Sequence, residues 1–222
     1  MLLFGLAHAY LLWYGDVLTY YALIGMLIYW VRRWKPRTQI ILGIILIILG
    51  AALLYGLSFY LQTVKTYVAE HPEMVKEAKE LKVMEEGFNP PPEKMASEAR
   101  KVREADFLGM IRLRAGHTLQ FQILGMATFG LWRFSGLMLL GIAIYKLGGF
   151  SLEWPQERYR RWLLVGFGIG IPLTCYGTWL RLQTTDMIAS LQVMSTWDYF
   201  ASLFMAAGYF ATLMLLAQTG TL

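Results

Sequence analysis

Four stretches of this chain, at about 38–62, 119–145, 162–180 and 197–217, are apolar for long enough to cross the hydrocarbon layer of a bilayer. That layer is about 30 Å thick and takes about 20 helical residues at 1.5 Å each. The opening stretch, 2–31, is too long for one untilted span. It is interrupted by Tyr14-Gly15-Asp16, a turn-forming pair with a charge in it, and reads as two helices, the first shortened, meeting near one membrane face. The expected fold is therefore all-α, a polytopic membrane helix bundle of about six segments in a single domain over 1–222.

Composition agrees. Of the 222 residues, 57% are hydrophobic and 16% charged, against about 25% charged in ordinary soluble domains. The net charge of +5 does not point to nucleic acid, because the basic residues lie beside apolar segments or are balanced by acids. Arg32, Arg33, Lys35 and Arg37 have no acid among them, and 146–161 is also rich in basic residues; both belong on the cytoplasmic side. Residues 65–114 hold ten basic and ten acidic residues, and 181–198 is nearly neutral. Alternating spans put these two on the opposite side, with the N-terminus cytoplasmic, in a multi-pass protein of the plasma (inner) membrane. MLLFGLAHAY lacks the basic start and cleavage site of a secretory signal. Trp13, Tyr29, Trp30, Trp154, Trp162 and Trp197 fall near segment ends, as an interfacial belt does.

Residues 64–117 are the one substantial extramembrane segment, a helical insertion between the third and fourth spans. Pro72 suits a first helical position and Glu73 and Glu77 suit a helix start, so about 73–86 should be helical. Asn89-Pro90-Pro91-Pro92 breaks the chain, and a second charged helix is expected from about Glu93 toward Arg114.

Arg133, inside the apolar run LQFQILGMATFGLWRFSGLMLLGIAIY, carries the sharpest chemical signal. Its guanidinium stays charged and must find an acid, carbonyls, water or an anionic ligand; Asp16, Asp186 and Asp198 are the candidate acids. An ion pair that fixes packing and a site for a substrate anion are both open. His8 and Asp16 form a candidate couple for proton transfer or general-base chemistry. Eight positions separate them, about 12 Å along one continuous helix, and the turn at Gly15 alters that geometry. The alternative is a packing histidine and an aspartate that caps the next helix. In WLLVGFGIGIPLTCYGTWL, Gly166 and Gly170 form a small-xxx-small pair that lets helices approach. Pro172 there frees the Gly168 carbonyl, so the segment is either a hinge or a tight packing seam. Cys175 is the single cysteine, which excludes an intrachain disulfide and a thiolate metal set. His71 and His117 have no ligand set beside them, and no motif calls for a metal or a cofactor.

Three stretches resemble the YeiB-like bacterial membrane proteins, the family called domain of unknown function 418. In FGLAHAYLLWYGDVLTYYALIGMLIY the matching positions are His8, Gly15, Asp16, Val17, Leu18, Tyr21, Ala22 and Leu23. FLGMIRLRA, 107–115, is the second match, and RFSGLMLLGIAIYKLG, 133–148, is similar to the family's MLLGMALYRLG. Two family patterns have no counterpart, an early Asp-x-x-Arg-Gly-like motif and a late Gly-Arg-x-Ala-Leu-x-Asn-Tyr-like motif. The chain thus resembles a member shortened at both ends. The family is distantly similar to membrane acyltransferases such as heparan-α-glucosaminide N-acetyltransferase, whose reactive histidine lies in an N-terminal part without a match here; that role is not carried onto His8.

Transport of a small solute is the leading expectation and membrane acyl transfer the alternative, which leaves open whether the protein is an enzyme. Arg133 and the Gly/Pro-rich segment favour passage of a small, anionic solute. The resemblance, with His8 and Asp16, favours a membrane-embedded acyltransferase or an inactive fragment of one. The expected partners are bilayer lipid, a small-molecule ligand, and a second copy or other membrane helices.

Overall fold

The computed structural model describes residues 1–13, 15–88 and 90–220. Tyr14 of the expected first turn and Asn89 of the expected chain break lie outside the described residues. Among those described, every regular element is a helix. In chain order these are α1 (Leu2–Ala7), α2 (Leu18–Val31), α3 (Pro36–Glu70), α4 (Val75–Phe88), α5 (Pro92–Glu104), α6 (Phe107–Gly125), α7 (Leu131–Lys146), α8 (Gln156–Leu182), α9 (Met187–Val193) and α10 (Tyr199–Gln218). Wide π-helical turns extend α1 through His8–Leu12, join α6 to α7 through Met126–Gly130, and join α9 to α10 through Met194–Asp198.

Four continuous helical stretches, Pro36–Glu70, Phe107–Lys146, Gln156–Leu182 and Met187–Gln218, are long and apolar enough to cross a bilayer. Leu2–Leu12 and Leu18–Val31 are apolar but shorter. The outward faces are oily: Ile41, Ile44, Ile45 and Ile48 on α3 are each 46% to 56% exposed. Exposed apolar surface on that scale suits lipid and not water.

The charged segment departs from the sequence expectation. In place of one helix running from Glu93 toward Arg114, α5 stops at Glu104 and α6 starts anew at Phe107. The cause is Asp106, whose backbone is extended and whose carboxylate accepts the Gly109 N–H at 2.8 Å, an N-cap that nucleates a separate helix.

The chain divides into two compact units. The first comprises Met1–Gly50 and Glu86–Ile142. Its core joins Tyr20, Ile24 and Ile28, spaced by four along one face of α2, to Phe134 and Leu139 of α7. α3 meets α7 closely where a Cβ on Gly136 would lie 2.7 Å from the Gly43 carbonyl oxygen. Tyr20 donates from its hydroxyl to the Phe121 carbonyl at 2.7 Å, tying α2 to α6.

The second unit comprises Ala51–Glu85 and Ala143–Leu222. Its centre is the α8–α10 pair, where Tyr159 and Trp162 of α8 cluster with Phe210 of α10 and with Trp154. Trp154 and Tyr159 send their polar ends to the Leu147 and Gly149 carbonyls at 2.6 and 2.7 Å, so neither ring buries an unpaired donor. Outside the apolar windows, Lys65 at the end of α3 bridges Asp186 at 2.6 Å and Glu85 at 2.9 Å. The Lys65 ammonium, with the Ala189 N–H, holds the Asp186 carboxyl below its ordinary pKa.

Candidate functional site

His8 and Asp16 meet. The chain leaves the first wide turn at Trp13 in an extended conformation and reverses through Gly15, where a Cβ would lie 2.6 Å from the Trp13 ring. The reversal replaces the 12 Å of a continuous helix by a direct bond of 2.9 Å between His8 Nδ1 and Asp16 Oδ1.

Asp16 is held from its other side. Its Oδ2 accepts the Thr19 N–H and the Thr19 hydroxyl, each at 2.9 Å, so one carboxylate both caps the start of α2 and orients an imidazole. The aspartate side chain is 1% exposed, while the histidine is 36% exposed. Burial without partners would be costly for a carboxylate; three donors share it here.

The helix that carries His8 is fixed by small residues and by α6. Gly5 lies against the beginning of α2, where a Cβ would sit 2.6 Å from the Thr19 amide nitrogen. A bulkier residue there would push His8 away from Asp16. The helical stretch ends at Leu12, so its last carbonyls lack amide partners further along the helix, and α6 supplies donors: Arg114 donates to the Leu12 carbonyl at 2.8 Å, and Thr118 to the Ala9 carbonyl at 3.3 Å. The Trp13 ring stands edge-on to His8 with 6.4 Å between centroids.

Thr19, Gly5, Arg114 and Thr118 were not singled out by sequence reasoning. For Thr19 a signal exists, since Asp16-x-x-Thr19 has the spacing at which a capping aspartate meets the N–H three residues on. The other three act across elements and leave no mark in local spacing.

Chemically, an imidazole whose Nδ1–H is given to a buried carboxylate keeps Nε2 as its acceptor. That is the arrangement of a general base with its orienting acid. The other sequence candidates have contacts of their own. Arg133 is 7% exposed on α7, with its guanidinium carbon 5.5 Å from the centre of the Phe129 ring. Each aspartate weighed as its partner has bonds of its own: Asp16 to His8 and Thr19, Asp186 to Lys65, and Asp198 to Arg181.

Gly166 and Gly170 face α10. A Cβ on Gly166 would run into the backbone of Gly208, and one on Gly170 would lie 2.9 Å from the Met205 nitrogen. Pro172 lies inside α8. Thr174 donates its hydroxyl to the Gly170 carbonyl at 2.8 Å. His71 stacks on Tyr67 at 4.1 Å, and Cys175 is exposed. No group of three His, Cys, Asp or Glu side chains among the described residues could hold a metal ion.

Comparison with known proteins adds a match over part of the chain. Residues 144–222 match the profile described as "Protein of unknown function (DUF418)". A 49-residue stretch is 47% identical to "Uncharacterized protein YxaH" of Bacillus subtilis (strain 168), which amounts to 22% of this chain and 12% of that protein's length. No solved structure matches. The profile match overlaps the stretches that carried the sequence resemblance only at 144–148, so the two indications are nearly independent.

Proposed function

We propose, for a chain whose residues 144–222 match the DUF418 family model, that His8 is the general base of a membrane-embedded acyl transfer. The observation that carries this reading is the 2.9 Å bond from a part-exposed imidazole to a buried carboxylate. Base chemistry is supported by that geometry, and acyl transfer by the distant resemblance to membrane acyltransferases. Nothing is inherited from the reactive histidine of those enzymes.

In this reading a hydroxyl or amine acceptor hands its proton to His8 Nε2 as its heteroatom attacks the acyl carbonyl. The imidazolium so formed is stabilised by Asp16 and returns the proton to the leaving group. Residues 32–37, basic and without an acid, support an orientation with that segment at the cytoplasmic face of the plasma membrane.

Passage of an anionic solute is the second reading, favoured by the burial of Arg133 within an apolar helix. The two separate in one preparation. With the full chain in lipid nanodiscs and a radiolabelled acyl thioester, we expect label to reach lipid, sugar or water. His8→Gln should abolish that transfer and Asp16→Asn should slow it by about 10²-fold or more. Absence of transfer by the wild type, or full rates in both variants, would refute the proposal. Anion flux lost in Arg133→Leu and kept in His8→Gln would favour the second reading.

A further inference from the structure

Between α2 and α7, within the first unit, an open groove of about 460 Å³ runs beside the buried core. One wall is Gly25, Ile28 and Tyr29 of α2 with Arg32 just past its end, spaced as one helical face, and Met138 and Gly141 of α7 stand opposite. Its size falls in the range of about 300–1,000 Å³ usual for ligand sites.

Two features separate this groove from a packing defect. Both glycines are open: a Cβ on Gly25 or on Gly141 would meet nothing within 4 Å. This contrasts with Gly136 on the same helix α7, where a Cβ would lie 2.6 Å from Ile47. Gly25 and Gly141 therefore serve no close helix contact, and their effect is to deepen the groove.

The second feature is the charge at one end. The Arg32 guanidinium carbon lies 3.3 Å above the Tyr29 ring centre, and one of its N–H groups donates to the Tyr29 carbonyl at 2.7 Å. Stacking and bond hold the cation at the end of the apolar wall. Its neighbours in the chain, Tyr29, Trp30 and Trp34, are respectively 56%, 81% and 45% exposed, and are the residue types that mark headgroup depth. Arg33, Lys35 and Arg37 follow with no acid among them.

We propose that this groove binds an anionic phospholipid, its acyl chain along Gly25 and Gly141 and its phosphate at Arg32. Apolar walls of methylene-chain character, an end cation and a headgroup-level aromatic belt match the three parts of such a lipid in order, and basic pockets between membrane helices take anionic headgroups. The site is separate from the His8–Asp16 pair and does not depend on the function proposed for it.

The test is native mass spectrometry of the full chain in a neutral detergent, with equimolar phosphatidylglycerol and phosphatidylcholine of identical acyl chains. The wild type should retain phosphatidylglycerol in preference. Arg32→Gln should cut that preference about tenfold, the factor for the loss of one hydrogen bond to a charged group, about 1.5 kcal/mol. Arg33→Gln, an equal change of charge beside the groove, should leave it nearly intact. Gly25→Leu with Gly141→Leu should lower retention of both lipids, and His8→Gln should change neither.

Equal retention of the two lipids by the wild type overturns the proposal. So does an equal loss in the Arg32 and Arg33 variants, which would be diffuse attraction without a site. A dimer mass abolished by the two leucines would assign the groove to a second copy. If the leucine variant does not stay monodisperse, the Arg32 and Arg33 pair alone decides.

Discussion

Asp16 is the residue on which the candidate site turns, because it serves two structures at once. Its Oδ2 starts α2 through Thr19, and its Oδ1 orients His8. The capping aspartate and the general-base couple, alternatives at the level of sequence, are therefore compatible in one carboxylate. Thr19→Val keeps the shape and the backbone N–H bond and removes the hydroxyl. It should cost about 1 kcal/mol, the net value of one hydrogen bond, read as a fall in the thermal unfolding midpoint in detergent. No change in the midpoint would mean that the hydroxyl does not help to hold the carboxylate. The pairing itself was only half legible in the sequence. Spacing measures distance along one element, and the 12 Å it implies holds until the chain reverses; the Gly15 turn was visible, but the angle at which it returns the chain was not.

At the scale of elements, the contrast among glycines of α8 is instructive. Gly166 meets the backbone of Gly208, whereas Gly168, two residues on, has open space where its Cβ would be. Gly166→Leu should therefore lower stability by about 1–3 kcal/mol through overpacking. Gly168→Ala should raise it by about 0.5–1 kcal/mol, since alanine loses less backbone freedom in a helix. Thermal unfolding of the two variants side by side checks both signs, and equal effects would deny that α8 packs on α10 through Gly166. The glycines were legible as a small-residue pattern, but which of them touches a partner is a property of the crossing and not of the spacing. The same limit explains α5 and α6. Charge made 93–114 look continuous, while Asp106, one more acid among many, is the cap that divides it.

For the whole molecule, the positions of the long helices were legible because apolar length is a one-dimensional property: the runs at about 38–62, 119–145, 162–180 and 197–217 all lie within helices long enough to span. Support from α6 was not legible, because Arg114 and Thr118 act on carbonyls more than 100 positions away in the chain. The family match over residues 144–222 likewise leaves the chemistry open, since a fold does not carry a function with it. The proposed chemistry therefore requires His8 to be an oriented base in the intact chain. Nitrogen NMR of histidine-labelled protein in nanodiscs reads this from the ring tautomer, with His8→Gln identifying the signal. The neutral His8 ring should carry its proton on Nδ1 in the wild type and shift toward Nε2–H in Asp16→Ala, where the acceptor is gone. A neutral ring protonated at Nε2 in the wild type, or a signal unchanged by Asp16→Ala, would contradict the account.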